Sequence, residues 1–122
     1  MAIDKGSPVV IFASQSLAAA ATLVGAWIDW TEKQAMTVYA KITQGGTATG
    51  TRPAVTIEVA DNFLGTNAVE VFSITTPNVD NEVTDLIHYH AITDRFVRLT
   101  IVNGTSEAIT VAAHAHLVDN LG

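Results

Sequence analysis

Strict two-residue alternation most constrains what this chain can become, and it is clearest between Arg95 and Leu117. Val97, Leu99 and Ile101 fall on one side of an extended backbone, with Arg98 and Thr100 on the other. Ile109, Val111, Ala113, Ala115 and Leu117 then repeat the pattern. Asn103-Gly104 stands between the two runs, and both residue types tolerate positive φ in a tight connection. The stretch from Arg95 to Leu117 therefore predicts one long hairpin.

The same reading extends along the chain. Val9-Val-Ile-Phe12 is β-branched and aromatic, and Pro8 at its head suits the start of an edge strand. Ser16 to Gly25 is rich in alanine and has the propensity of a short helix with Ser16 as its cap. It lacks an acidic first turn and runs straight into Trp27-Ile-Asp-Trp30, so extended structure is favoured, with Ala26 to Ile28 a short strand. Asp29 to Gln34 reads as a turn. Ala35 to Thr43 alternates, with Met36, Val38, Ala40 and Ile42 on one face. Gln44 to Pro53 is a Gly/Thr-rich loop with no phosphate-cradle spacing, read as a flexible hairpin tip or a contact loop for a neighbour. Ala54 to Ala60 is a strand, and Asp61 to Asn67 is a turn. Ala68 to Thr75 alternates less cleanly, which predicts burial on both sides. A loop over 76–82 leads to a strand over Val83 to Ala91, and Thr93-Asp94 turns the chain into the final run. Seven or eight short strands with frequent turn signals predict an all-β antiparallel β-sandwich, jelly-roll-like or Ig-like. The organisation expected is an N-terminal arm over 1–7, hinged at Gly6-Ser7-Pro8, and a single domain over 8–122.

Composition narrows the role. Of 122 residues, 15% are charged and 48% hydrophobic, less charge than a small monomer usually carries on its surface. The balance leans toward surface buried between subunits. A net charge of −6 argues against binding a phosphate backbone. The absence of cysteine removes disulfides and thiolate chemistry. The apolar run from Pro8 to Phe12 is too short for a membrane span, and Leu17 to Trp27 lacks the charged start of a signal peptide. The mature chain is expected to begin at or near Met1.

Few residues suggest chemistry. The four histidines form two His-x-His pairs, His88/His90 and His114/His116. On neighbouring strands, four imidazoles would converge on a metal ion; lining a polar face or a subunit contact is the plainer alternative, and no cofactor is expected. Asp80 with Glu82, or Asp85 with Asp94, would serve as paired carboxylates, but they stand in turn-like segments where such residues are common. No nucleophile elbow is present. Trp27, Trp30, Tyr39 and Tyr89 would make a sugar-stacking platform, although aromatic residues are only 7% of the chain. Arg95 and Arg98 fall on opposite faces and form no nucleic-acid stripe. Arg98 suits a cross-strand or inter-subunit ion pair. Nothing here points to an enzyme.

Three stretches carry a resemblance. Ser16-Leu-Ala-Ala-Ala-Ala-Thr-Leu-Val-Gly-Ala-Trp-Ile-Asp29 resembles the opening of small tailed-phage virion proteins. Val38 to Gly50, continuing to Val59, looks like their central hairpin, and Arg95-Phe-Val-Arg-Leu-Thr-Ile-Val-Asn-Gly104 like their late strand and turn. The resemblance implies a β-sandwich subunit of a phage particle: a head decoration protein, a minor capsid component or a tail accessory module. It implies no catalytic residues. Such a subunit would assemble in the host cytoplasm, as a homo-oligomer with a trimer favoured. It would contact a major capsid or tail protein and touch neither nucleic acid nor membrane. The arm residues Ile3, Asp4 and Lys5, with Gln44, Gly45, Gly46, Thr47 and Arg52 of the Gly/Thr loop, are the expected contacts.

Overall fold

The computed structural model describes residues 8–29, 35–44, 50–76, 83–91 and 96–118. They form β1 (Pro8–Leu17), β2 (Thr22–Val24), β3 (Ile28–Asp29), β4 (Ala35–Thr43), β5 (Ala54–Ala60), β6 (Val69–Thr75), β7 (Val83–Ala91), β8 (Phe96–Val102) and β9 (Ile109–Val118). Sheet I runs β1-β9-β4-β7 and sheet II runs β2-β8-β5-β6, with β3 also paired to β8. Every pairing is antiparallel. β2 and β3 lie along successive parts of β8 and are bridged where the Gly25 amide donates to the Leu99 carbonyl at 2.9 Å. Counted together as one interrupted strand, they make an eight-stranded jelly roll.

The alternation seen in the sequence becomes the core. Met36, Val38, Ala40 and Ile42 of β4 and Ile109, Val111, Ala113 and Ala115 of β9 face inward from sheet I. Val55, Ile57 and Val59 of β5 and Val97, Leu99 and Ile101 of β8 face them from sheet II. Phe12 and Leu17 of β1 close one side. Each large side chain so buried contributes about 1.5–3 kcal/mol.

Connectivity departs from the sequence reading in three places. First, the long hairpin expected between Arg95 and Leu117 does not form: β8 belongs to sheet II and β9 to sheet I. Positive φ occurs among the described residues at Ala20, Gly50, Gly65 and Asn67, not at Asn103-Gly104. Asn103 works instead as a buried tether. The two hydrogens of its Nδ2 are shared among the carbonyls of Leu17, Ala18 and Glu107, at 3.2, 3.0 and 2.9 Å. Its Oδ1 accepts from the Thr105 amide at 3.1 Å and the Thr105 hydroxyl at 2.6 Å. Gly104 is there because Thr51 is close: a Cβ would stand 2.8 Å from that of Thr51, whose amide donates to the Gly104 carbonyl.

Second, β4 and β5 also sit in different sheets, so the expected central hairpin is a crossover. The consecutive strands that do pair, among the described residues, are β5 and β6. Third, β6 is an edge strand and mostly exposed rather than buried on both sides. Its uneven alternation comes from a register shift opposite Ile57/Glu58. The alanine-rich segment is not a helix, but it is extended only at its two ends, and the short strand expected over Ala26 to Ile28 is instead β3 at Ile28–Asp29. β1 runs on through Leu17, the chain turns at Ala18–Ala21, and β2 follows. That turn holds Ala20 at φ 57°, a left-handed conformation costly for a residue with a Cβ.

Two stability changes follow. Asn103→Ala leaves several buried groups without partners and is expected to cost about 3 kcal/mol in urea unfolding. Ala20→Gly is expected to raise stability by about 1 kcal/mol by relieving the strained φ, and a lower midpoint would show that the turn is not strained.

Candidate functional site

Two outward faces and one turn carry the chemistry. On sheet I, the outward residues of β4 and β9 stand opposite one another in the register: Thr37 with His116, Tyr39 with His114, Lys41 with Ala112, and Thr43 with Thr110. The Tyr39 and His114 rings lie 4.9 Å apart, and those of His114 and His116 5.7 Å. All three are half-buried, because each rises from a central strand with neighbours on both sides.

On sheet II, Arg98 organises the outer face. Its Nε and Nη2 donate to the two carboxylate oxygens of Glu58 at 3.2 and 3.0 Å, and the Thr100 hydroxyl donates to the same carboxylate at 3.1 Å. Glu58 and Arg98 are direct cross-strand partners on β5 and β8, so the register brings them together. The guanidinium also lies 4.3 Å from the centre of the Trp27 ring. The Arg98 hydrogen bonds hold the Glu58 carboxyl below its ordinary 4.5, against the opposing pull of burial and with help from Thr100.

The β5–β6 turn is held by its own side chains. Asn62 Oδ1 accepts from the amides of Leu64 and Thr66, Asn62 Nδ2 donates to the Thr66 hydroxyl, and Asn67 Nδ2 donates to Asp61 at 2.6 Å. Gly65, at φ 78°, sits close against Trp27, where a Cβ would come within 3.2 Å of the indole nitrogen. This fixed turn holds Phe63 and Leu64 in solvent, 68% and 79% exposed. Phe63 keeps an edge contact to Phe96 at 6.4 Å between ring centres. Beside the turn, Val69 and Val71 of β6 are also exposed.

The residues singled out from sequence are distributed unevenly. His114 and His116 share one face of β9, while β7 aligns His88 with Val38 and His90 with Met36. The two pairs are thus matched to positions of opposite parity on β4, whereas a common centre needs one parity. No group of three metal-ligating residues occurs among the described residues. Gln44 is 3% exposed; its amide donates to Thr76 and its carbonyl accepts from Arg52 Nη1 at 3.0 Å, so both side chains anchor the base of the loop. Ile3, Asp4, Lys5, Gly45, Gly46, Thr47, Trp30, Asp80, Glu82, Asp94 and Arg95 lie outside the described residues. Tyr89 stands in register with Thr37 on sheet I, and Trp27, between β2 and β3, lies against Arg98 of the other sheet, so the four aromatics do not make one platform. Sequence reasoning missed Glu58 as the partner of Arg98, forty residues away. It also missed Phe63-Leu64, where two large apolar residues inside a polar turn were a usable signal.

No family model matches the chain, and no curated protein matches it in sequence. Solved structures do. The chain is similar to the PBSX exported protein XepA, with TM-score 0.61 and 14% identity over 93% of this chain and 37% of that one. It is similar to the C-terminal CBM6 of LamC, a laminarinase from Zobellia galactanivorans, with TM-score 0.54 and 5% identity over 90% and 98% of the two chains. It is also similar to a chain of infectious bursal disease virus, Gx strain, with TM-score 0.52 and 13% identity over 95% and 32%. The chain spans only about a third of the length of XepA and of the bursal disease virus chain. At these identities the likeness shows the fold alone, an antiparallel β-sandwich.

The Glu58–Arg98 pair gives a pH dependence of definite sign. A depressed carboxyl stabilises fully above the ordinary 4.5, and that contribution is lost as pH falls through the lower folded value. Glu58→Gln is expected to lower stability at neutral pH by about 1 kcal/mol and to converge with the wild type in acid, read by urea unfolding across a pH series.

Proposed function

We propose that the chain is a non-enzymatic structural subunit of a tailed-phage particle, most plainly a head decoration protein that stabilises its shell through subunit contacts. The observation that carries this reading is the Phe63-Leu64 tip. A turn that uses four side-chain hydrogen bonds to hold two large apolar residues in water has the character of a contact element. Val69 and Val71 extend the apolar surface along β6, and the low charged fraction of the sequence agrees. The likeness to XepA and to a viral particle chain supports the same reading at the level of fold. The partners in this proposal are further copies of the chain, as a trimer, and a major capsid or tail protein.

A second reading, a carbohydrate-binding sandwich, is favoured by the ring pair Tyr39–His114 beside hydroxyl and amine side chains on sheet I. The likeness to the CBM6 of LamC supports it equally at the level of fold.

Light scattering coupled to size exclusion tests the structural reading. The wild type is expected to run as a discrete oligomer, and Phe63→Ser/Leu64→Ser as a monomer with unchanged melting temperature. An oligomer indifferent to both substitutions would remove the tip from the contact.

A further inference from the structure

A shallow pocket of about 290 Å³ opens on sheet I, lined by Ser14, Lys41, Thr43, Thr110, Val111 and Ala112. The strand order explains its shape. β9 lies between β1 and β4, so Ala112 provides the floor while Ser14 and Lys41 stand on the flanking strands. Ala112 is the smallest outward residue of its row, between His114 and Thr110. β1 slips register on both sides of Phe12, which bends the strand carrying Ser14. One step along the ladder, roughly 7 Å away at the rise of a strand, is the Tyr39–His114 ring pair.

We propose that this strip binds a short neutral saccharide, a site that rests on the carbohydrate reading above. A pyranose ring presents a weakly polar C–H face and a rim of hydroxyl groups that both donate and accept. The strip offers each its complement. The half-buried rings of Tyr39 and His114 provide a surface for the C–H face of one sugar. Lys41 Nζ donates, and the hydroxyls of Ser14, Thr43 and Thr110 donate or accept, toward the rim of the next. The pocket is at the small end of ligand sites, which run to roughly 300–1,000 Å³, so it holds one ring while the chain of sugars continues along the face. A net charge of −6 favours a neutral saccharide over a polyanionic one. In a phage subunit, this face would read sugars while the Phe63-Leu64 tip, built on sheet II, makes the subunit contact.

Calorimetric titration of the full chain with cello-, manno- and chito-oligosaccharides of four to six units is the test. At least one is expected to bind, and Ala112→Phe, which fills the floor without removing a polar group, should weaken it tenfold or more. Lys41→Ala, an exposed position that leaves the core intact, should weaken the same ligand and serves if Ala112→Phe does not fold. Phe63→Ser/Leu64→Ser should bind as the wild type, which separates this site from the subunit contact. Absence of binding at millimolar sugar, or binding indifferent to both sheet I substitutions, overturns the proposal, whatever the solution mass.

Discussion

A single buried amide holds the two sheets of this protein in their relation. Asn103 follows the last residue of β8, and its side chain reaches the end of β1 through Leu17 and Ala18, and the approach to β9 through Glu107. It is 0% exposed, and its bond to the Leu17 carbonyl is buried while those to Ala18 and Glu107 are part-buried. Its backbone amide donates to the Ala21 carbonyl at 2.8 Å, which adds the approach to β2. Four chain segments from both sheets thus meet at one residue. Buried polar groups need partners, and here one side chain serves the Leu17 carbonyl together with the Thr105 amide and hydroxyl. Around this point Thr51 binds Gly104 and Gly50 bridges Thr105, so the end of the Gly/Thr loop is tied to the same corner.

That tether also explains where sequence reasoning succeeded and where it stopped. The inward rows of β4, β5, β8 and β9 were legible because alternation is a local property of the chain. Which rows would face each other was not. Val97, Leu99 and Ile101 opposite Ile109, Val111 and Ala113 satisfy a hairpin and a sheet-to-sheet crossover equally well, since either buries both rows. What separates them is whether Asn103-Gly104 turns within a sheet or plugs the end of the sandwich. That depends on Leu17, Ala18 and Thr51, more than fifty positions away, and no local pattern carries it. β6 misled for a related reason. Val69 and Val71 read as core by residue type, yet among the described residues β6 has a partner on one side only.

The candidate surfaces show the same limit. Tyr39, His114 and His116 were visible as chemically distinctive residues, and their alignment follows once β4 and β9 are neighbours. Ala112 matters for being small between larger residues on adjoining strands, which is invisible until the sheet order is known. Arg98 was recognisable as an ion-pair candidate, but its partner Glu58 required the β5–β8 register. Between them, Arg98 and Trp27 connect the outer face of sheet II to the β5–β6 turn, since Gly65 rests against the same indole. The turn is therefore braced from behind, so Phe63 and Leu64 are held in place by more than their own loop.

Edge geometry bears on how such a subunit would meet its neighbours. An open edge strand with exposed valines invites strand addition by another chain. β6 is interrupted at the register shift between Phe72 and Glu70, where Val71 has no direct partner on β5. A bulge there twists the edge, and Glu70 places a charge beside it, two devices that oppose continuous pairing. The apolar side chains are kept while the backbone ladder is spoiled. A contact through Phe63, Leu64 and Val69 would then be side-chain docking of fixed geometry, and repeated contacts of that kind close when the rotation between subunits allows. On the proposed reading, such docking would join subunits without extending the β-sheet from one to the next.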